Sequence, residues 1–378
     1  MNSMSDGINS PALNLASCAW ESFLDRAPLA LDRAQASASM QGKRVLITGA
    51  GGWIGSALAR SIAEFSPDQL VLLEAAERNL YEIDTALRQL QTPIEHISVL
   101  GSVSQPVLLA EIFNRYRPQI VYHAAAFKHV PLMEQNPFAA IENNVIGTHL
   151  LVEAATANTE TEQLILLSTD KAVDPVSMMG ASKRIAELVM LAPRAASARM
   201  KAVRLGNVLG SEGSIVPLFV KQILSGQPIT VTHPKVRRYF LTTADAAILL
   251  LHAASAEAPQ GVLVPDLGEP KLVEALAQHL MDRWGPVPIV FTQLRPGDKM
   301  CEALLSDRES YVAHEGAGRL LRLVKSPSLP EVVLDEILRQ LKQACCERSL
   351  ELLLTTVLRA VPEYQPSALV QAAAVETA

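Results

Sequence analysis

Cysteine is scarce in this chain. The 378 residues hold four, Cys18, Cys301, Cys345 and Cys346, at no metal-ligand spacing. That excludes a disulfide-stapled scaffold and a cysteine-held zinc; idle or buried thiols in a reducing compartment are expected instead. An excess of positive charge is also lacking. The formal net charge is −6, which argues against nucleic acid as the main partner. No run of 18 apolar residues occurs, so no membrane span is expected. The start, "MNSMSDGINSPALNLAS", has neither the charged opening nor the apolar stretch of a signal peptide, and the cytoplasm is the default location. No internal repeat or low-complexity tract stands out. One further absence is a single residue. In "LLSTDKAVDPVSMMGASKR", the position four before Lys183 holds Met179, where most nicotinamide enzymes with such a segment have tyrosine. Methionine has no proton to give or take.

What the sequence does contain is enough apolar material, 49%, for a sizeable core. "RVLIT", "QLVLLE", "ISVLG", "QIVYHAAA", "QLILLST" and "KAVRLGNVLG" are short apolar runs separated by helix-like segments. Strands alternating with helices predict an α/β fold: a Rossmann-type, doubly wound parallel sheet with a smaller C-terminal substrate-binding lobe and a helical tail. The expected organisation is a loose N-terminal arm over 1–40, with a short helix near "WESFLDRA", and a dinucleotide-binding domain over 41–210. A lobe over 211–328 and a tail of two amphipathic helices over 329–378 follow.

"TGAGGWIG" places Gly49, Gly52 and Gly55 between the first strand and a helix. One glycine serves the tight turn, one the approach of backbone to a pyrophosphate, and one the packing of helix on strand. The helix N-terminus then offers N–H groups and partial positive charge to the phosphates. Glu74 ends the second strand, where a carboxylate can accept both ribose hydroxyls of NAD and repel the extra phosphate of NADP. Arg78, four residues on, complicates that choice; NAD is expected over NADP.

Ser168, Thr169, Asp170 and Lys171 follow directly on "LILL". The carboxyl end of a central strand faces the cofactor in such folds, so this cluster is the candidate catalytic set. Met179 and Lys183 are four apart, on one helical face, and Lys183 can reach the nicotinamide ribose. An acid beside a possible base points to proton removal and donation. To act as a base, Lys171 would need its pKa lowered by roughly 3 pH units; Asp170 would need the opposite change.

These stretches, with "VYHAAAFKHVPLMEQNP", "NNVIGT", "VTHPKVRRYFLT" and "LRPGDKMCEALL", resemble the CapD-like polysaccharide-biosynthesis branch of the extended short-chain dehydrogenase/reductases. These are nucleotide-sugar 4,6-dehydratases, typically acting on UDP-N-acetylglucosamine. The resemblance covers about residues 21 to 367. It implies an NAD-dependent lyase that removes water across carbons 5 and 6 of a UDP-sugar, for cell-surface glycan synthesis, with a homo-oligomer expected and no metal. It gives Lys171 the role of carbon 5 base, Asp170 that of acid, and Thr169 a hydrogen bond to the carbon 4 oxygen. Methionine at Met179 matches this branch. The implied cofactor contacts are Gly49, Gly52, Trp53, Ile54, Gly55, Glu74, Arg78, Ser102, Val103, Ala124, Ala125, Lys128 and Lys183. The implied substrate contacts are Lys128, Asn207, Arg238, Arg295 and Asp298; paired arginines suit a diphosphate.

Three positions depart from the branch: Trp53 and Ser102, usually a small residue and Asp, and Glu212, usually Arg. Ser102 in place of an adenine-binding Asp is expected to cost about 1 kcal/mol of cofactor affinity. The alternatives are an epimerase on the same scaffold, against which Met179 and the Asp170–Lys171 pair count, and a non-catalytic NAD- or nucleotide-sugar-binding module.

Overall fold

The computed structural model describes residues 18–90, 94–192, 198–313 and 320–376. Residues 1–17 of the expected arm lie outside them. The core of the fold is a nine-stranded sheet. Its strands are β1 (Arg44–Thr48), β2 (Gln69–Glu74), β3 (His96–Leu100), β4 (Ile120–His123), β5 (Gln163–Thr169), β6 (Arg199–Leu205), β7 (Gly261–Pro265), β8 (Ser310–Tyr311) and β9 (Leu321–Lys325).

From one edge the order is β3-β2-β1-β4-β5-β6-β7, all parallel, and then β9 and β8, each antiparallel to its neighbour. Strands covered on both faces read as continuous apolar runs. "RVLIT" and "QLILLST" follow this rule, with Val45, Leu46, Ile47, Leu164, Ile165 and Leu166 fully buried. The chain leaves β1 toward β2 on one side and returns to β4 on the other. Ligands of such sheets bind at that reversal, outside the carboxyl ends of the strands.

The sheet also draws β7, β8 and β9 from the segment 211–328, which the sequence reading gives to the substrate lobe as a whole. Short apolar runs far along the chain carry no sign of which sheet they join. The lobe keeps its own smaller core around Val216, Phe219, Val220, Leu276 and Leu280, on the helices Ile215–Leu224 and Val273–Trp284. The helix Trp20–Leu24 sits in that core through Phe23, whose ring lies 5.5 Å from that of Phe240. Arg26 then pairs with Asp245 at 2.8 Å, so the described part of the arm is docked and not loose. Its apolar anchors, Phe23, Leu24, Ala36 and Met40, are spread over two short helices and show no period.

The tail forms the helices Glu331–Glu347 and Leu350–Ala360, with a third, Ala368–Glu376. Among the described residues no helix is long and apolar enough to cross a membrane.

Candidate active site

Four strand ends, those of β1, β2, β4 and β5, build the site. At the end of β1, Gly49 has φ +68°, and a Cβ there would stand 2.7 Å from the backbone of Ala125. At Gly55 a Cβ would stand 2.0 Å from the Gly49 carbonyl oxygen. Both positions therefore exclude a side chain, for turn geometry and for helix-on-strand contact. Gly52 is the N-cap of the helix Trp53–Ala63, and Ala124 and Ala125, which follow β4, lie against Gly49. Glu74 is buried at the end of β2. It accepts from Gly51 N at 3.0 Å and from Ala76 N at 2.9 Å, so it fixes the glycine turn while retaining lone pairs for a ligand hydroxyl. This is a dinucleotide cradle in shape and polarity.

The other expected cofactor contacts are distributed unevenly. Ile54 follows Trp53 in the first turn of the helix. Trp53 turns outward, and its Nε1 donates to Thr243 Oγ1 at 2.7 Å, tying this helix to Thr243–Ser255. Arg78 is exposed and paired with Glu82, one helical turn on, at 2.8 Å. Ser102 accepts from Ser104 N within its own turn, beside buried Val103. Lys128 donates to the Glu212 carbonyl at 3.0 Å, so that contact uses the backbone of Glu212 and not its charge.

The end of β5 carries the densest chemistry. Asp170 is fully buried in a one-turn helix, Asp170–Ala172, capped by Thr169. Its Oδ1 accepts from Thr169 Oγ1 at 2.9 Å and from Lys171 Nζ at 2.9 Å. Its Oδ2 is buried and has no hydrogen-bond partner among the described residues. Lys171 Nζ also donates to Asn207 Oδ1 at 2.9 Å and lies 3.7 Å from Glu302 Oε1. Desolvation raises the Asp170 pKa; Lys171 opposes this, Glu302 adds to it, and the net direction is up. For Lys171, desolvation pulls down, the Asp170 and Glu302 carboxylates push up, and the net direction is again up. The upward direction for Asp170 suits a general acid. For Lys171 it is opposite to the lowering expected of a free base, because two carboxylates face it.

Glu302 was not among the residues singled out from sequence. It is buried, with Lys171 at 3.7 Å, Lys299 at 3.3 Å and Arg238 at 3.9 Å around it. Arg238 is buried, donates to the carbonyl of Arg237 at 2.7 Å and lies 3.9 Å from Glu302. Arg295 is half exposed and pairs with Asp298 at 2.8 Å within the turn "RPGD". Asn207 is drawn to Lys171; Arg295 and Asp298 are drawn to each other.

Met179 and Lys183 sit on the helix Met178–Leu191, which is capped by Ser177 and buried through most of its length. Desolvation lowers the Lys183 pKa to about 8, with partial opposition from Glu187. Below it, Ser168 donates to Glu187 at 2.7 Å, and Arg204 and Arg184 hold the same carboxylate. Asn144 is a second residue the sequence reading passed over. It lies in a π-helical turn, Glu142–Ile146, bonding both the N–H and the carbonyl of Phe127 and donating to Ser182 Oγ at 2.9 Å. Such turns recur at functional sites, and "NNVIGT" was the available signal.

A family model described as a polysaccharide biosynthesis protein matches residues 45–321. The chain belongs to that family. Among curated members it is 43% identical over 297 residues to a probable polysaccharide biosynthesis protein, EpsC, of Bacillus subtilis, covering 77% of this chain and 50% of that one. It is 42% identical to the capsular polysaccharide biosynthesis protein CapD of Staphylococcus aureus, covering 79% and 51%. The chain thus spans about half the length of these family members. A UDP-glucose 4-epimerase of Rickettsia rickettsii is 38% identical over 52% of this chain and 58% of its own. Among solved structures, Pen from Bacillus thuringiensis superposes with a TM-score of 0.67 at 25% identity, covering 77% of this chain and 90% of that one. A dTDP-glucose 4,6-dehydratase, DesIV from Streptomyces venezuelae, gives 0.59 at 20% identity over 80% and 96%, a likeness of fold.

Proposed function

We propose that this chain is an NAD-dependent nucleotide-sugar 4,6-dehydratase acting on a UDP-N-acetylhexosamine, with UDP-N-acetylglucosamine the first substrate to test, in cell-surface glycan synthesis. The observation that carries this reading is the 2.9 Å contact between buried Asp170 and part-buried Lys171, in a site whose customary tyrosine is Met179. A 4-epimerase and a dehydratase both begin by removing a hydride and a proton at carbon 4; the dehydratase needs, in addition, an acid and a base at carbons 5 and 6.

The cradle fits a dinucleotide: glycines where a Cβ would collide, a helix N-terminus for the pyrophosphate, and Glu74 for ribose hydroxyls. When bound, the nicotinamide supplies a reversible hydride acceptor. Lys183 holds the ribose. Thr169 donates to the sugar's carbon 4 oxygen and orients it.

Moving one proton across the Lys171–Asp170 hydrogen bond turns ammonium and carboxylate into amine and carboxylic acid. The amine then takes the carbon 5 proton. The acid protonates the hydroxyl leaving carbon 6, the carbon–oxygen bond breaks, and water departs. This step restores the ammonium–carboxylate pair, so no outside proton is needed. The upward pKa of Asp170 makes the internal transfer cheaper; that of Lys171 makes it dearer.

The test is mass spectrometry of products from a panel of UDP- and dTDP-sugars with added NAD. Loss of one water, with no net reduced cofactor, is the expected result. Steady accumulation of reduced cofactor overturns the reading. The Rickettsia epimerase match favours a second reading, 4-epimerisation, which would give a product of unchanged mass.

A further inference from the structure

Glu302 lies more than a hundred residues from Asp170 in the chain, yet one lysine bridges the two carboxylates. Lys171 Nζ is 2.9 Å from Asp170 and 3.7 Å from Glu302. Both acids are buried, and Glu302 is itself held by Lys299 and Arg238. Lys299 is anchored in turn to the Val173 carbonyl at 2.6 Å, which follows Asp170–Ala172 directly. The groups facing Glu302 are therefore Lys171, Lys299 and Arg238, with Asp170 behind Lys171; Tyr239 in turn faces Cys301, Glu269, Asp170 and Tyr311.

We propose that Glu302 is a positioning residue for the catalytic pair: it anchors the Lys171 ammonium beside Asp170 and supplies the fixed negative charge that keeps a proton shared between them. This rests on the dehydratase reading for its role, though not for its test. Three cations hold Glu302 ionised, and its pKa is accordingly lowered despite burial. A permanent anion beside a titrating pair raises both proton affinities of that pair. The singly protonated form, which carries the chemistry, then occupies a window at higher pH than it would with a neutral residue.

The experiment has two readouts. The infrared carbonyl band of the Asp170 acid, assigned by its loss in Asp170→Asn, is titrated in wild type and in Glu302→Gln. The band is expected to titrate at lower pH in Glu302→Gln, by about one pH unit. Glu302→Asp, which keeps the charge, is expected to restore most of the wild-type value, and Lys299→Met to move it the other way. Opposite directions from two neighbouring variants are not a result of loosened folding. On activity, both limbs of the pH–kcat profile of Glu302→Gln are expected to move to lower pH together, with kcat reduced and KM little changed. An Asp170 band unmoved in Glu302→Gln and Lys299→Met overturns the proposal. If wild type releases no water from any sugar nucleotide, the dehydratase reading fails, and the infrared titration still decides the role of Glu302.

Discussion

Gly180 lies directly against Lys171: a Cβ at position 180 would stand 2.3 Å from the Lys171 carbonyl oxygen. The helix bearing Met179 and Lys183 can reach the turn bearing Asp170 only because this position has no side chain. Gly180→Ala should therefore push the two apart. Overpacking costs about 1–3 kcal/mol, against about 1 kcal/mol gained in helix propensity. The expected result is a small loss in Tm and a large loss in kcat, on the order of 100-fold, the usual effect of a displacement near 1 Å at reacting groups. Unchanged kcat would mean that the contact does not set the site geometry.

Asp170→Asn and Lys171→Ala should each reduce water elimination by about 10²–10⁴-fold, the range for a lost general acid or base. Carbon 5 proton exchange with deuterated solvent separates them. Lys171→Ala should abolish exchange, whereas Asp170→Asn should lose water release more than exchange. Near-normal rates in both variants would refute the assignment.

Lys183 contributes a pH-dependent stability of definite sign. Its folded pKa, about 8, is below the ordinary lysine value of 10.5. The unfolded chain therefore holds the extra proton between about pH 8 and 10.5, and stability should rise with pH through that interval. Below it the folded state bears the full cost of burying the ammonium. Lys183→Met should raise Tm at neutral pH while weakening NAD binding, checked by calorimetry with and without cofactor. A fall in Tm for the variant would contradict this account.

Met179 is buried in the apolar core cluster. Met179→Tyr should lower both stability, by about 1–3 kcal/mol, and turnover. A gain in rate would instead show that the carbon 4 proton follows a makeshift route in the wild type.

Much of this was legible in one sequence because it is local. The glycine turn, Glu74 at a strand end and Thr169–Asp170–Lys171 after a buried run all declare their place through neighbours in the chain. Glu302 and Lys299 do not, because they reach Asp170 and Lys171 from a loop without periodicity, after the chain has crossed the lobe. Arg238 shows the converse. Its residue type suggests a diphosphate contact, and type alone does not reveal that it is buried with Glu302 3.9 Å away. Trp53 stands out in the sequence only as a departure from the branch; its partner Thr243 is 190 residues away, beyond any local pattern.

The segment after Lys171 also depends on the far end of the chain. Gln365 N donates to the Pro175 carbonyl at 3.0 Å, and Ser367 donates to Glu134, whose other oxygen accepts from Met178 N at 2.6 Å. During synthesis, therefore, the start of the catalytic helix acquires its last partners only when residue 367 has left the ribosome. A chain truncated before residue 365 should therefore keep its glycine turn and lose the bracing of the segment that follows Lys171.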